Sequence, residues 1–405
     1  MTVETFDLIG AVPTEPFAEA KRRIAAAVEA HRPEILELSH RIHANPEPAF
    51  EERQAAAWVA ETLARHGYGV EHPAGSLGTA VRGRLAGGLG GTRPRIGILA
   101  EYDALPGLGH GCGHNTMAAS GVGAAIALAA LAPELAGEIV FLGTPAEERG
   151  SGKAIMIRDG LFDGLDAALL YHPSDATYVE CRLLASEDVY VTFHGRQAHA
   201  ASEPWMGRNA LDALILLFSS VGLWRQQLRP DARVHGIVQE GGTAANIIPS
   251  RTKAWFMVRS PRQEEYLEMR EQFRTMCEAA ATATGCSVEV VFDGGASTMK
   301  HNRVLGDRFG ANMAAYGVAD HAPSDNLGSS DMGNVSLVVP TIHPSIAICP
   351  EGVPGHSIDF RDAAASPLAD EVTLLAATLV AQTAYELFAD PSLVEAAWSE
   401  FRATA

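Results

Sequence analysis

The hydrophobic positions near the start of the chain recur at helical spacing. Residues 16–66 predict two amphipathic helices, one with its apolar side chains between residues 24 and 42 and the other between residues 56 and 63. The polar segment ANPEPAFEE separates them and predicts a turn.

Farther along, short continuous apolar runs replace this spacing. Runs at 95–103, 138–144 and 166–171 predict strands buried on both faces, as in a parallel sheet. Helices are predicted between these strands, at 116–131 and 151–160. This alternation of strands and helices predicts an α/β domain built on a mainly parallel sheet.

The pattern changes near residue 186, where a strictly alternating stretch begins. The predicted elements are a strand at 187–194, a helix at 207–228, strands at 232–242 and 251–260, a helix at 261–283 and a strand at 286–292. This β-α-β-β-α-β order predicts a ferredoxin-like α+β insert. The predicted domains are therefore 1–185 with 295–405, and an insert at 186–294.

Charge and composition narrow the classes of partner. The 405 residues include 31 Lys and Arg against 49 Asp and Glu, a net charge of −18. Such a chain has no overall electrostatic attraction for nucleic acid or anionic membranes. The uncharged stretch 116–133 reaches the length of a membrane span, but its Ala and Gly content predicts a buried helix of a soluble protein.

The cysteines and the N-terminus predict a cytoplasmic protein. The five cysteines are scattered and form no C-x-x-C pair, which favours a reducing compartment. The first ten residues carry acids where a signal peptide carries Lys or Arg.

Candidate metal ligands follow three of the predicted strands. Cys112 and His114 lie two residues apart on a glycine-rich turn, Glu147 and Glu148 follow a second strand, and His172 follows a third. Loops at the carboxyl ends of parallel strands converge on one crevice, so these donors are expected to meet. Taken singly, the Cys-x-His pair is often incidental and the two acids are typical of a solvated helix start. Together they favour a metal site in which one carboxylate binds metal and its neighbour accepts a proton from metal-bound water.

Several motifs in fixed order resemble a known family. They are ILAEYDALPGLGHGCGHN, TPAEERGSGK, YHP, GRQAHAASEPWMGRNALDA, GGTAANIIP and GSSDMGN. The chain resembles the di-metal peptidase, aminoacylase and amidohydrolase family, whose branches include p-aminobenzoyl-glutamate hydrolases, β-alanyl-lysine-type and carnosine dipeptidases, indoleacetyl-amino-acid hydrolases and acetylornithine deacetylases. The resemblance extends from residues 38–52 to 352–357 and is strongest toward the aroyl-glutamate and β-alanyl-lysine branches.

The resemblance implies a set of site residues. Glu147 is the expected general base, and Asp103 is the expected acid that orients a ligand. His356 is the expected last metal ligand, with His343 as its rival. The full ligand set implied by the resemblance is Cys112, His114, Glu148, His172 and His356.

Three residues of the insert receive implied roles as well. The resemblance suggests that His199 reaches the active site of a partner subunit and stabilises the oxyanion. Asn246 and Arg259 are expected to contact a substrate carboxylate, although an arginine that closes a strand is often only a solvated end. The insert is accordingly expected to act as a lid and to form a homodimer.

Two departures from the family pattern bear on the metal. Many relatives read His-x-Asp where this chain has Glu101, Tyr102 and Asp103, so Cys112 is expected to supply the missing donor. Asn115 stands where many amidohydrolases have Asp, which favours the aroyl-glutamate and dipeptidase branches. Two divalent ions are expected, either zinc or manganese, with cobalt as a further possibility.

The predicted function is hydrolysis of the amide bond of a dipeptide or of an N-acyl or N-aroyl amino acid. One alternative is a hydrolase of another C–N bond on the same machinery, acting on an aromatic amine or an amide-linked small molecule. The other is a non-catalytic metal-binding homologue.

Overall fold

The computed structural model describes residues 6–10, 17–322 and 328–403. The chain divides into two compact units. Unit 1 comprises Met1–Arg182, Met299–Asn326 and Asn334–Ala405, and unit 2 comprises Leu183–Thr298 and Leu327–Gly333. The argument against a signal peptide rests partly on residues 1–5, which lie outside the described part of the chain.

The first part of unit 1 contains five helices and six strands within the described residues. They are α1 (Ala18–Ala30), α2 (Arg32–Ala44), α3 (Arg53–Arg65), β1 (Gly69–Glu71), β2 (Val81–Ala86), β3 (Arg95–Glu101), α4 (His114–Leu131), β4 (Glu138–Thr144), α5 (Gly152–Arg158), β5 (Ala167–Leu169) and β6 (His172–Ser174).

The chain then forms unit 2 and returns to unit 1. The elements of the insert are β7 (Ala185–His194), α6 (Ala210–Trp224), β8 (Arg233–Glu240), β9 (Arg251–Ser260), α7 (Gln263–Thr284) and β10 (Ser287–Ala296). The remaining elements are α8 (Arg303–Ala315), α9 (Met332–Ser336), β11 (Thr341–Ile342), β12 (Ser345–Ala347), α10 (Ile358–Ala363), α11 (Pro367–Ala389) and α12 (Pro391–Ala403).

The prediction of a single first helix, with apolar positions from 24 to 42, is wrong. The structure forms two helices that meet at His31, and Pro33 lies in the first turn of the second. Proline has no N–H to donate to the preceding turn, so it is tolerated at the start of a helix but not in its interior. The apolar spacing continues across the break, which is why the pattern alone concealed it.

The main sheet of unit 1 has the order β1-β2-β4-β3-β5-β11. Its centre is parallel, since β3 pairs in parallel with both β4 and β5, and β5 pairs in parallel with β11. The β2 strand pairs antiparallel with β1 and β4 at the other edge. The predicted α/β fold is confirmed, and the antiparallel edge makes the sheet mixed.

Two helices of unit 1 have the length and apolar composition of a membrane span. The helical segments His114–Glu134 and Pro367–Ala389 have 83% and 89% of their apolar windows buried inside the structure. The α4 helix packs so closely on β3 that a Cβ at Gly121 would lie 2.9 Å from the main-chain oxygen of Leu99. Since α4 begins at His114, this close packing fixes one end of the candidate site.

Unit 2 has the β-α-β-β-α-β order that the sequence predicted. Its antiparallel sheet has the order β10-β7-β9-β8, as in ferredoxin-like folds. Alternate residues of β9 are buried, and Phe256 packs against Phe218 of α6 and Phe273 of α7. Both helices therefore cover one face of the sheet and leave the other face open within this unit.

Candidate metal centre and active site

The glycine-rich turn after β3 carries two of the predicted ligands. Gly113 has φ +77°, and a Cβ there would lie 2.7 Å from Cγ of Pro173. Glycine satisfies both constraints because it tolerates positive φ and has no side chain to clash. The turn thereby places Cys112 beside the loop of His172 and starts α4 at His114.

His114 is wholly buried and is oriented by Asp103. Its Nδ1 lies 2.9 Å from the main-chain oxygen of Asp103 and 3.1 Å from Oδ1 of the same residue. A hydrogen bond at Nδ1 leaves the Nε2 lone pair free for a metal ion. Within the described part of the chain Nε2 has no hydrogen-bond partner, although Oε2 of Glu101 lies 3.2 Å away.

Two groups of three donor atoms share Cys112. One group is Cys112, His114 and His172, and the other is Cys112, Glu148 and His356. Within each group the ligand atoms lie within 4.8 Å of one another. The Sγ of Cys112 lies 3.6 Å from Nε2 of His172, and Nε2 of His356 lies 3.4 Å from Oε2 of Glu148. The structure therefore brings together all five predicted ligands, with the thiol between the two groups.

Burial shifts the pKa values of His172 and Cys112, the first toward and the second away from the protonation state that binds metal. Burial lowers the pKa of His172 to about 4, so its imidazole is neutral at pH 7. Burial, followed by the negative charge of Glu148, raises the pKa of the Cys112 thiol. A bound divalent ion reverses this preference, because coordination deprotonates a thiol. Oε1 of Glu148 is buried and has no hydrogen-bond partner among the residues that the structure describes, as expected of a ligand atom.

Asp103 connects the ligands of the two groups. In addition to its contacts with His114, its Oδ2 accepts the N–H of Glu148 at 2.9 Å. Burial favours the neutral acid, but the hydrogen bond and charge of His114 outweigh burial and lower the pKa of Asp103. An ionised Asp103 keeps Nε2 of His114 facing the site and accepts the main-chain N–H of Glu148.

Glu147 faces the metal centre. Its Oε2 lies 3.9 Å from Nε2 of His114, and 9% of its side chain is exposed. A carboxylate at this distance from a ligand atom is placed to receive a proton from water at the centre.

The rival histidine occupies a different position from the favoured one. His343 is buried, and its ring lies 5.3 Å from the ring of His172. It is not part of the donor groups found among the described residues, whereas His356 is. The geometry therefore favours His356 as the last ligand and leaves His343 as a packing neighbour of His172.

Sequence reasoning missed a buried ion pair beside the ligands. Nζ of Lys153 lies 2.5 Å from Oε1 of Glu101, and neither side chain is exposed. The other carboxylate oxygen of Glu101 faces Nε2 of His114. A lone acid at the end of the apolar run RIGILAE was the available signal, since a buried carboxylate needs a cation or a metal.

Unit 2 places two of its three candidate residues on neighbouring loops. His199 is exposed, and its Nδ1 accepts the N–H groups of Ala201 and Ser202, both at 3.2 Å. The N–H of Ala200 donates to the main-chain oxygen of Asn246 at 3.0 Å. Nε2 of His199 therefore points away from its own loop, and that loop lies next to the loop of Asn246.

Arg259 lies apart from these loops, near the end of β9. It stands opposite Arg233 of β8, and its Nε is buried with no hydrogen-bond partner in the described ranges of the chain. Like charges directly opposite each other on adjacent strands are unfavourable. An anionic ligand at this position would therefore offset the repulsion between Arg233 and Arg259.

A further donor group in unit 1 has the character of an ion-pair network. Glu34 accepts hydrogen bonds from Arg65 at 2.8 Å and from His66 at 3.0 Å, with His31 at 3.3 Å. These bonds overcome partial burial and lower the pKa of Glu34. The guanidinium of Arg65 already balances the negative charge of Glu34, so the arrangement of this group needs no metal ion.

Comparison with known proteins identifies the family. The family model for peptidase family M20/M25/M40 matches residues 97–379. The Xaa-Arg dipeptidase of Mus musculus is 36% identical over 96% of this chain and 91% of its own length. The chain belongs to the M20/M25/M40 peptidase family. A p-aminobenzoyl-glutamate hydrolase subunit of Escherichia coli is 30% identical over 93% of this chain and 94% of its own length.

Solved structures of other proteins share the fold of this chain. A dinuclear metal-binding peptidase from Bacillus subtilis superposes with a TM-score of 0.68 at 21% identity, covering 89% of this chain and 99% of its own. An aminobenzoyl-glutamate utilization protein from Klebsiella pneumoniae also gives 0.68, at 20% identity over 87% and 98% of the two chains. The predicted family, fold class and enzyme class, a metal-dependent amidohydrolase, are confirmed.

Proposed function

We propose that this M20-family protein is a two-metal hydrolase that cleaves the amide bond of a dipeptide or of an N-acyl or N-aroyl amino acid. The observation that carries the proposal is the pair of donor groups that share Cys112, with the Glu147 carboxylate beside them. Names of relatives support the substrate class, since they include dipeptidases and an aroyl-glutamate hydrolase.

The residues present fit two divalent ions. Cys112, His114 and His172 would hold one ion, and Cys112, Glu148 and His356 the other. Two buried atoms of these donor residues, His114 Nε2 and Glu148 Oε1, have no hydrogen-bond partner among the described residues. A bound metal pair supplies polarisation of the substrate carbonyl and acidification of water. One thiolate among imidazoles and a carboxylate favours zinc, with manganese or cobalt as alternatives.

The protein's own side chains would then transfer the proton, position the ligands and bind the substrate. Glu147 takes a proton from the attacking water and passes it to the departing amine. Asp103 holds the tautomer of His114 and the main chain of Glu148 throughout. His199, with Nε2 facing outward, would donate to the oxyanion in the active site of a partner subunit. Asn246 or Arg259, which lie apart within unit 2, would bind the substrate carboxylate.

The homodimer is part of the proposal, and exposed features of unit 2 support it. The β8 strand forms one edge of the sheet and exposes Ile237 and Val238. The α6 helix exposes Ile215, Leu216 and Leu223. An open sheet edge with apolar side chains is a natural site for pairing with a second copy. A cytoplasmic location stays a prediction, consistent with five free cysteines.

A substrate panel tests the proposed function. The protein is incubated with dipeptides, including Xaa-Arg dipeptides, N-acyl amino acids and p-aminobenzoyl-glutamate, with and without added zinc or manganese, and products are read by mass spectrometry. We expect metal-dependent release of an amino acid from at least one class, and no release from the Glu147→Ala variant. Hydrolysis restricted to other C–N bonds would replace the proposed substrate class, and no turnover by metal-loaded protein would support a non-catalytic homologue.

A further inference from the structure

Glu52 is a carboxylate inside unit 1 to which the mechanism above gives no role. Its side chain is fully buried, and in the described part of the chain no Lys, Arg or His forms an ion pair with it. Burial raises the pKa of Glu52 to about 7, and the negative charge of Asp103 contributes to this rise. A buried carboxylate without a cation is costly, so its position calls for an explanation.

The two oxygens of Glu52 accept hydrogen bonds from two distant segments. Oε1 accepts the N–H of Ala146 at 2.8 Å, and Oε2 accepts the hydroxyl of Thr79 at 2.9 Å. Ala146 immediately precedes Glu147. The main chain of Ala146 has φ +59°, a left-handed conformation that a residue with a side chain adopts only where its surroundings enforce it.

The other side of Glu147 is held in the same way. Asp103 accepts the N–H of Glu148 at 2.9 Å. The loop is closed further along by the N–H of Gly152, which donates to the main-chain oxygen of Ala146 at 3.1 Å. The buried carboxylates of Glu52 and Asp103 therefore accept main-chain N–H groups from the residues on either side of Glu147.

We propose that Glu52 is a positioning residue, which with Asp103 clamps the main chain around Glu147 and aims the Glu147 carboxylate at the metal centre. The inference rests on the proposed role of Glu147 as general base. A small displacement of a reacting group costs as much as about 10²-fold in rate, so a carboxylate that fixes this loop acts on turnover without touching substrate.

Three variants separate the clamp from general stability. Glu52→Met keeps the volume but removes the acceptor for Ala146. Glu52→Gln keeps an acceptor for Ala146 and places its amide next to Thr79. Thr79→Val is the matched control, because it removes the hydroxyl bond to Glu52 and leaves the Ala146 bond in place.

Steady-state kinetics on the substrate identified by the panel is the first measurement. We expect kcat of Glu52→Met to fall about 10²-fold with KM and metal content unchanged, and Glu52→Gln and Thr79→Val to stay within a few-fold of the parent protein. A folded, metal-loaded Glu52→Met protein with the parent kcat overturns the proposal. A loss of kcat that follows only loss of metal or of thermal stability also overturns it.

Hydrogen exchange of the loop tests the clamp independently of activity. Peptides that contain residues 145–150 should lose amide protection in Glu52→Met and keep it in Thr79→Val, whatever the substrate proves to be. If Glu52→Met does not fold, Glu52→Asp replaces it, since this variant keeps the charge but withdraws the oxygens by one methylene. Unchanged loop protection in a folded variant contradicts the clamp, and a parent protein that turns over nothing counts against the proposed function alone.

Discussion

The metal centre of unit 1 and the candidate residues of unit 2 are built in opposite ways. In unit 1, His114 is fully buried and fixed by two contacts with Asp103. In unit 2, His199 and Asn246 are exposed on loops, held through main-chain bonds to their neighbours. The first arrangement lies within unit 1 and is buried, whereas the second exposes its side chains. A buried ligand set is held in place before substrate binds. Exposed loop residues, by contrast, can contribute only when a substrate or a partner subunit lies against them.

The largest expected effect is at the buried centre. Glu147→Ala should lower kcat by about 10⁴-fold, the upper range for loss of general acid–base catalysis. The donors of both groups remain, so metal content measured by mass spectrometry should stay at the parent value. Appreciable residual turnover would assign the base to another residue.

The shared thiol provides the next test. Cys112 belongs to both donor groups, whereas His356 belongs to one. Cys112→Ala should therefore weaken both ions, and His356→Ala should remove about one ion per chain while the other is retained. Metal content after dialysis against a weak chelator distinguishes these outcomes. Equal losses from the two variants would contradict the bridging position of Cys112.

The exposed histidine of unit 2 should have a smaller effect on rate and little effect on stability. Loss of one oxyanion donor typically costs about 10²–10³-fold in kcat, and an exposed substitution usually changes stability by less than about 0.5 kcal/mol. His199→Ala should show this combination with unchanged metal content. Activity restored by mixing His199→Ala with Glu147→Ala chains would place His199 in the partner's active site, and absence of rescue would confine its role to its own chain.

The last expected effect concerns stability rather than rate, and it depends on pH. The pKa of Glu52 is about 7 in the folded protein against an ordinary value of 4.5, and Asp103 and Tyr102 are the ionisable neighbours coupled to it. A raised folded pKa contributes stability below pH 4.5 that is lost as pH rises through 7, an effect of about 3 kcal/mol.

Glu52→Gln cannot ionise, so its unfolding free energy relative to the parent protein should rise by this amount between pH 4.5 and 8. Urea unfolding of the metal-free proteins across this range measures the difference. A constant difference would mean that Glu52 does not titrate in the folded protein.

Most of the candidate ligands were predicted because they follow a recognisable strand or turn, whereas His356 was implied only by the family resemblance. Glu147, Glu148 and His172 come after apolar runs, and the edge of a parallel sheet gathers such residues. The sequence did not reveal Glu52 or the pair of Glu101 and Lys153. Glu52 lies in a polar stretch that reads as a solvated turn, and its partner Ala146 is 94 residues away.

The helix break at His31 shows the same limit on a smaller scale. Apolar positions keep their spacing across the break, so periodicity alone continued one helix through Pro33. The spacing of apolar positions indicates which face of each segment is buried, but it does not show where the main chain turns.

The sequence by itself predicted the α/β fold with its ferredoxin-like insert and the hydrolase family, and its resemblance to that family implied a set of candidate metal-binding donors. These features depend on residue type and on spacing along the chain, both of which can be read directly. Only the tertiary structure decided that Cys112 lies between two donor groups, that His356 rather than His343 joins them, and that Glu52 and Asp103 grip the loop of Glu147. These contacts join segments far apart in the chain, and packing of the folded core, which excludes water, makes each of them strong enough to matter.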